Sequence, residues 1–300
     1  MIQVYNLTKV KTANYLDQWD SGFIYSFLTG DLWKTPDWEN FEIINVDEIP
    51  NNIGKAIVLI PARHYVGLED WLNNELKKIK RPILICGGDE EADFNADLIE
   101  HPNIHIWVQN PHIGTHDKYN KLGTGFTTHT RALLKNTEAP ITKPLNIYFS
   151  GQVTHQRRFE LVEALEGIEE QYVDVIINRT RSFTGGETKE EYIKNMKACK
   201  IAPCPSGAII PDSFRLFEAL ECMAVPIADN KTPAGETMEY WDWLFGSEVP
   251  FYKVVNWDRL FELVPDILQD YKPMQHQITA WWINYKRDFA YKVMGQLNDN

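Results

Sequence analysis

The stretch from Ile201 to Asn230, IAPCPSGAIIPDSFRLFEALECMAVPIADN, combines residue types that bind phosphate with paired acids. Ser206 and Gly207 lie in a loop between a short apolar run and a helical pattern. The helix is predicted to begin near Ser213, with Ser213 or Asp212 as its cap and its free first-turn N–H groups pointing outward. A loop that ends at such a helix start suits an anion, above all a phosphate.

Charged side chains on the same predicted helix extend this chemistry. Arg215 falls in the first turn, where a cation is unfavourable unless it faces an anion. Glu218 and Glu221 are three residues apart and share one face of the helix. We expect a nucleotide here, with Arg215 at its phosphates and a carboxylate at its ribose hydroxyls. The spacing alone is equally compatible with an ordinary amphipathic helix that has a capping serine and solvated acids.

A second junction between a strand and a helix has similar residue types. The segment NIYFSGQVTHQRRFELVEAL reads as a strand, a Ser-Gly loop containing Gly151, and a helix with Arg157 and Arg158 at its start. Backbone N–H groups at a helix start, together with arginine, form an anion site suited to a diphosphate. The alternative is two surface arginines on the first turn of a helix.

Candidates for a general base lie in the first half of the chain. Removing a proton from an alcohol requires a carboxylate or an imidazole. Asp89 and Glu90 follow PILICGG, and we favour this cluster because paired glycines let a ligand approach the backbone. Asp31, behind GFIYSFLTG, and His64, behind KAIVLIP, rank next. Each is also compatible with a solvated loop residue or a helix cap.

The segment 108–130 is rich in possible metal ligands. It contains His112, His116, Asp117 and His129. Their spacing matches no established metal-binding pattern, and the Pro and Gly residues between them indicate a loop. We expect a loop whose histidines hydrogen-bond hydroxyl groups. No metal site and no obligatory cofactor are therefore predicted.

Short apolar runs must supply the strands that position these residues. They recur throughout the first half, at residues 2–7, 22–28, 41–46, 55–60, 82–87 and 103–108. Continuous apolar runs are typical of strands covered on both faces, as in a parallel sheet. Because LEDWLNNELKKI, with helical spacing, separates two of the runs, the order is strand, helix, strand. A doubly wound α/β fold follows.

The polar segment NTEAPITKP (136–144) indicates a boundary between two domains. The predicted domains are 1–144 and 145–273, followed by a helix over 274–300. That helix either crosses back to the first domain or packs within the second. Trp241 and Trp257 are expected to be core residues rather than platforms for sugars.

Composition limits the class of protein. The 300 residues carry a formal net charge of −12, which argues against binding nucleic acid through an overall positive field. No window of about 18 apolar residues is present, so no membrane span is predicted. The four cysteines lack CxxC spacing and are expected to be buried free thiols. With no signal-peptide pattern at MIQVYNLTKVK, a cytoplasmic location is expected.

Several of these motifs resemble the exostosin-type glycosyltransferases. SFRLFEALECMAVPIADN is similar to their nucleotide-sugar segment, SFR-x-x-EAL-x-x-x-x-VPV, with Ile227 at the final Val. KIAPCPSG, NIYFSG and EVPFYKVVNWDRLFELVPD resemble further segments of that family. The matches cover about 146–269, and the first half matches only in layout.

The resemblance implies a GT-B architecture, in which two Rossmann-like domains face each other across a cleft. It implies that Glu218 binds the donor's ribose, while Arg215 and Ser213 lie near the diphosphate. It also implies inversion at the anomeric carbon, usually with a UDP-sugar donor and without an obligatory metal. The turn TPAGETMEY follows a predicted strand and offers Glu236 and Thr237 to the donor sugar.

We therefore expect transfer of a sugar from a nucleoside diphosphate sugar to a hydroxyl acceptor, most simply a glycan. The absence of an anchor pattern favours a bacterial cell or a virus-infected host cell over the secretory pathway. A modified base in DNA is an alternative acceptor. A nucleotide-sugar-binding module without catalysis is a second alternative.

Overall fold

The computed structural model describes residues 2–8, 21–29, 41–89, 91–109, 117–182 and 185–298. Contacts divide the chain into two compact units. The first comprises Met1–Arg131 and Asn284–Asn300, and the second comprises Ala132–Ile283. Each unit is built on one parallel sheet with helices between its strands, so the predicted α/β class is confirmed.

The described part of the first unit contains a six-stranded parallel sheet in the spatial order β2-β1-β3-β4-β5-β6. The strands are β1 (Ile2–Leu7), β2 (Phe41–Val46), β3 (Ile53–Pro61), β4 (Ile79–Gly87), β5 (His105–Val108) and β6 (Tyr119–Lys121). Ala56 to Ile60 of β3 are all buried, as expected for a central strand covered on both faces. Most of the apolar runs thus form the predicted strands.

The run at 22–28 is an exception, because it forms helix α1 (Ser21–Thr29) rather than a strand. Phe23 and Phe27 are one helical turn apart, as are Ile24 and Leu28, and all four are buried. A short continuous apolar run has the same composition in a buried strand and in a buried helix. The prediction of a strand here was therefore wrong.

The remaining helices of the first unit connect the strands. They are a 3-10 helix (Ala62–Tyr65) after β3, helix α2 (Glu69–Leu76), a 3-10 helix (Ala96–Leu98) and helix α3 (Thr128–Asn136), which continues into the second unit. Leu72 and Leu76 of α2 are buried against the sheet, which confirms the helix predicted from apolar spacing in this segment.

The second unit contains a five-stranded parallel sheet in the order β11-β10-β9-β7-β8 among its described residues. Its strands are β7 (Leu145–Gln152), β8 (Val175–Thr180), β9 (Cys199–Cys204), β10 (Val225–Asp229) and β11 (Tyr252–Val254). Its helices are α4 (Gln156–Glu169), α5 (Lys189–Ala198), α6 (Phe214–Glu221), α7 (Tyr240–Phe245), a 3-10 helix (Trp257–Arg259), α8 (Leu260–Gln269) and the first part of α9 (Tyr271–Asn298).

The strand order of the second sheet reverses beside β7. The chain leaves β7 for β8 on one side and later returns to β9 on the other side of β7. Right-handed crossovers then place α4 on one face of the sheet and α5 and α6 on the opposite face. The observed packing agrees, because α4 contacts α8 whereas α5 contacts α6. The loops after β7 and β9 therefore diverge and leave a crevice between them.

Local sequence explains where α5 begins. The Thr188 side chain accepts the backbone N–H of Glu191, and the Glu191 carboxylate accepts the backbone N–H of Thr188. This reciprocal capping box satisfies two backbone donors at the start of the helix. Thr188 is therefore the N-cap of α5.

The terminal helix α9 contributes to both units, with residues up to Ile283 in the second and residues from Asn284 in the first. In the second unit the Trp282 indole Nε1–H donates to Glu221 at 3.0 Å. In the first unit Phe289 stacks on Phe27. Within the described residues, no helix combines the length and apolar character needed to cross a bilayer. All four cysteines are buried and free, as predicted.

Candidate functional site

The switch-point crevice, which we define as the space between Ser150–Gly151 near the end of β7 and the loop 205–213 after β9, contains most of the predicted binding residues. Ligands of open α/β sheets bind at such a position, beyond the carboxyl ends of the strands. The 205–213 loop is tightly folded, because Gly207 donates its N–H to the Ile210 carbonyl at 3.0 Å. A Cβ on Gly207 would lie 2.0 Å from the Asp212 carbonyl oxygen, so only glycine fits this turn.

Arg158 forms hydrogen bonds to both sides of the crevice. Its guanidinium donates to the Gln152 carbonyl at 3.0 Å and to the Ser206 carbonyl at 3.1 Å. The Ser206 hydroxyl in turn donates to Asp229 at the end of β10. The predicted residues Ser206 and Arg158 are thus brought together, with Arg158 only partly buried at the crevice.

Arg215 lies against the floor of the crevice. Its guanidinium is 4.8 Å from the centre of the Phe149 ring, and it donates to the Ser150 carbonyl. Its Nη1 is buried and has no hydrogen-bond acceptor among the described residues. Gly151 makes room for this side chain, because a Cβ there would lie 2.5 Å from Nη2. A partly buried guanidinium with a buried, unused donor is suited to an anionic ligand.

Glu218 is a buried carboxylate one turn further along α6, with 2% of its surface exposed. It accepts the Lys189 ammonium at 2.7 Å and the Tyr192 hydroxyl at 2.6 Å. Burial by itself raises the pKa of Glu218, but Lys189, the Tyr192 hydrogen bond and Arg215 outweigh it, so the pKa is lowered. Glu218 therefore stays ionised at neutral pH although it is covered.

The starts of α4 and α6 receive no side-chain cap from the described residues. The sequence predicted Ser213 or Asp212 as the cap of α6. Instead, the Ser213 hydroxyl donates to the Pro205 carbonyl at 3.1 Å, and Asp212 accepts the Tyr240 hydroxyl at 2.6 Å. The cap prediction was wrong because longer-range partners compete for both side chains. First-turn N–H groups without a cap add to the positive potential of the crevice.

Arg157, the second arginine predicted to contact a phosphate, is engaged elsewhere. It is buried and pairs with Asp229 at 2.7 Å, and it also donates to Glu160. Burial raises the pKa of Asp229 even though Arg157 and Ser206 donate hydrogen bonds to it. The structure thus gives Arg157 a buried ion pair and leaves Arg158 and Arg215 as the arginines of the crevice.

Glu236 and Thr237 lie in an exposed turn that follows β10. The Glu236 backbone N–H donates to the Thr232 hydroxyl at 3.2 Å, and Thr237 forms an isolated antiparallel bridge with Lys231. Within the described part of the chain, no hydrogen bond joins Glu236 or Thr237 to the crevice residues. The structure places them at the carboxyl edge of the sheet but not in the crevice.

The predicted bases belong to the first unit, and two of them, Asp31 and Glu90, lie outside the described residues, as do His112 and His116. Asp89 is buried, and its carboxylate accepts the backbone N–H of Asp93 at 3.0 Å and of Phe94 at 3.3 Å. Burial raises the pKa of Asp89, and these two hydrogen bonds partly offset it.

His64 lies in the 3-10 helix directly after β3 and is half-buried. Burial and the neighbouring Arg63 lower the pKa of His64, so its ring is neutral at pH 7. Asp117 and His129 are described, but no group of three or more His, Cys, Asp or Glu in the described residues could hold a metal ion.

No pattern in the sequence indicated the roles of Lys189 and Tyr192. They are 29 and 26 residues from Glu218 along the chain, and only the packing of α5 on α6 brings them together. The side chain of Lys189 is 35% exposed, which makes it the member of this cluster that presents charge to solvent.

His155 occupies the N-cap position of α4, but its side chain makes no capping hydrogen bond. Both of its ring nitrogens lack hydrogen-bond partners among the described residues. Burial, Arg158 and Arg157 lower its pKa from the ordinary value of 6.5 to about 4. The unfolded chain therefore binds a proton at His155 between pH 6.5 and 4 that the folded chain does not.

We expect this difference to reduce the free energy of unfolding as the pH falls through that window. The expected loss is about 1–2 kcal/mol, because the ring is only half-buried and solvent screens the effect. Urea unfolding at several pH values checks it. In His155→Gln the free energy of unfolding should depend less steeply on pH than in the unaltered protein. Replacement of the exposed His276 by Gln should not have this effect. Equal slopes for all three proteins would contradict the assignment.

Comparison with solved structures finds several chains of similar structure. The crystal structure of an α1,3-fucosyltransferase is similar to this chain with a TM-score of 0.45 at 10% identity, over 93% of this chain and 81% of that chain. No family model matches the sequence, and no curated protein matches it.

Proposed function

We propose that the chain is a glycosyltransferase that binds a nucleoside diphosphate sugar in the switch-point crevice of its second unit. The single observation that carries the proposal is the buried, ionised carboxylate of Glu218 close to Arg215. A carboxylate beside a cation and a helix start is the arrangement that Rossmann-like sheets use for a ribose and its phosphates.

Each crevice residue has a role in this proposal. Lys189 covers Glu218 and is partly exposed, so a ribose hydroxyl can replace its ammonium on the carboxylate. The released ammonium would then join Arg158, Arg215 and the uncapped start of α6 around the diphosphate. The sequence resemblance to the exostosin-type enzymes supports the same assignment of Glu218, Arg215 and Ser213.

The proposed reaction is an inverting single displacement. A base removes the proton of the acceptor hydroxyl, whose oxygen attacks the anomeric carbon. A new C–O bond forms as the bond to the diphosphate breaks, and the nucleoside diphosphate leaves with the electron pair. The cations of the crevice stabilise the negative charge that develops on it.

Of the described candidates, we propose His64 as this base in preference to Asp89. The Asp89 carboxylate is only 2% exposed and already accepts two backbone N–H groups. His64 is neutral at pH 7 and half-buried, so its ring retains a nitrogen that can accept a proton. The GT-B architecture and the UDP-sugar donor are parts of the proposal that rest on the sequence resemblance, and a glycan is proposed as the simplest hydroxyl acceptor.

Nucleotide binding is the first test. We expect UDP or another nucleoside diphosphate, and its sugar conjugate, to stabilise the intact protein in thermal unfolding. A ligand at about 100 times its Kd should add roughly 2.7 kcal/mol to the free energy of unfolding. The corresponding nucleosides, which lack phosphates, are the matched controls. Failure of every nucleoside diphosphate and nucleotide sugar to stabilise the protein would refute the proposal.

Transfer is measured next, with the stabilising nucleotide sugar as donor. We expect the sugar to be transferred to oligosaccharide acceptors. DNA that contains a hydroxymethylated base is tested in parallel, because transfer to it would indicate the alternative acceptor. Donor binding without transfer or hydrolysis on any of these acceptors would instead indicate a binding module.

A further inference from the structure

The second unit contains a groove that the proposed donor site does not use. The groove, which we call the α4–α8 groove, has a cavity volume of about 670 Å³. Its walls include Glu160 and Glu163 of α4, Lys231 after β10, Asp258 of the 3-10 helix, and Phe261 of α8. The volume lies within the range of small-molecule sites in proteins, roughly 300–1,000 Å³.

The groove adjoins the switch-point crevice through one buried ion pair. Arg157 lines the groove and pairs with Asp229 at 2.7 Å. Asp229 also accepts the hydroxyl of Ser206, which belongs to the crevice. Both features therefore lie at the carboxyl edge of the same sheet.

The charges of the groove do not favour an ionic ligand. Glu160, Glu163 and Asp258 carry negative charge, while Lys231 and Arg157 carry positive charge. The Arg157 charge is already neutralised by Asp229, so a phosphate or another anion would meet mainly carboxylates. A cation would meet Lys231 close to those carboxylates. A neutral ligand avoids both penalties.

The polar groups of the groove match hydroxyl groups in particular. Carboxylates such as Glu163 only accept hydrogen bonds, whereas the Lys231 ammonium only donates them. A sugar hydroxyl can do both, so neighbouring hydroxyls of one ring can satisfy both kinds of partner. The side chains of Val255 and Phe261 are 44% and 41% exposed and offer apolar surface to the C–H faces of a sugar ring.

We propose that the α4–α8 groove binds a neutral oligosaccharide, as the part of the acceptor remote from the reacting hydroxyl. The inference deepens the proposed function and rests on it for the identification of that sugar as the acceptor. Binding of the oligosaccharide itself depends only on the groove.

Calorimetric titration of the intact protein without nucleotide tests the proposal. The probes are the neutral hexasaccharides of cellulose, starch and chitin, with a heparin hexasaccharide as the anionic probe and hexalysine as the cationic one. We expect at least one neutral hexasaccharide to bind, and to bind more tightly than either charged probe. No neutral binding, or tighter binding of a charged probe, would overturn the proposal.

Matched variants locate the binding. Phe261→Ala should weaken the hexasaccharide by roughly tenfold, because it removes apolar surface that the ligand buries. Phe159→Ala removes another exposed phenylalanine, on α4, that is not part of the groove lining, and should leave the affinity unchanged. Glu163→Gln should also weaken binding, whereas Glu169→Gln on the same helix should not. Equal affinities across all four variants would show that the sugar binds elsewhere and would overturn the proposal.

The two proposals fail separately. Nucleotide stabilisation without hexasaccharide binding would remove the groove assignment and leave the donor site intact. Hexasaccharide binding without nucleotide stabilisation would keep the groove and remove the proposed transferase function.

Discussion

Asp229→Ala is expected to lower the free energy of unfolding by about 3–5 kcal/mol, because it leaves the buried Arg157 guanidinium without its partner. It also removes the acceptor of the Ser206 hydroxyl. Chemical denaturation measures the change, provided that the slope of the free energy of unfolding against denaturant concentration is the same in the variant and the unaltered protein. The loss would come from an uncompensated buried charge and not from the strength of the pair itself.

The pKa of Asp229 supports this distinction. It is raised, so burial disfavours the charged carboxylate more than Arg157 and the other hydrogen bonds favour it. Replacing both partners with apolar residues, as in Arg157→Met with Asp229→Leu, should therefore recover much of the stability that Asp229→Ala loses. A double variant no more stable than Asp229→Ala would contradict this account.

Glu160→Gln is the matched control for the same arginine. Its carboxylate also accepts from Arg157, but the side chain is 37% exposed, so the expected loss is below about 1 kcal/mol. The double variant also bears on function. If it folds and still binds nucleotide with unchanged affinity, Arg157 is a structural residue rather than a phosphate ligand.

Glu218→Gln is expected to lower kcat/KM for transfer by about a hundredfold or more. The amide keeps the shape of the side chain but loses the negative charge. That charge binds the Lys189 ammonium in the free protein and would strengthen the hydrogen bond from a ribose hydroxyl in the complex. In the complex, the hydrogen bonds from the ribose hydroxyl and from Tyr192 to the carboxylate would both weaken, which corresponds to about 3 kcal/mol of transition-state stabilisation. Steady-state kinetics with the stabilising nucleotide sugar provide the measurement.

Glu221→Gln is the matched control, since Glu221 lies one turn along the same helix and accepts from Trp282. Its amide oxygen can still accept that hydrogen bond, so kcat/KM should stay within about threefold. Lys189→Gln should raise KM for the donor if its ammonium contacts the diphosphate. Glu218→Gln with unaltered kinetics would remove Glu218 from the donor site.

Acid pH gives a related expectation for Glu218. Its folded pKa lies below the unfolded value, so its contribution to stability is present above the unfolded pKa and is lost as pH falls through the folded pKa. This loss begins only below the ordinary glutamate pKa of 4.5, so a change of stability between pH 6.5 and 4.5 reports on His155 and not on Glu218.

The sequence by itself determined the α/β class and most strands of both units, because continuous apolar runs and helical spacing are local patterns. It also located the loop that carries Ser206 and Gly207 and the helix start that carries Arg158. It misassigned residues 22–28, since a run of buried apolar residues has no period that separates a strand from a buried helix.

Only the tertiary structure decided which side chains meet. In the folded chain, Arg157 pairs with Asp229, which is 72 residues away along the chain. Arg158 and Arg215 are the arginines that lie in the crevice. It brought Lys189 onto Glu218 and drew Ser213 away from the helix start. Hydrogen-bond and charge partners are set by the order of strands in a sheet and by the faces on which helices pack. That order is a property of the whole sheet, so the spacing of residues within one segment does not contain it.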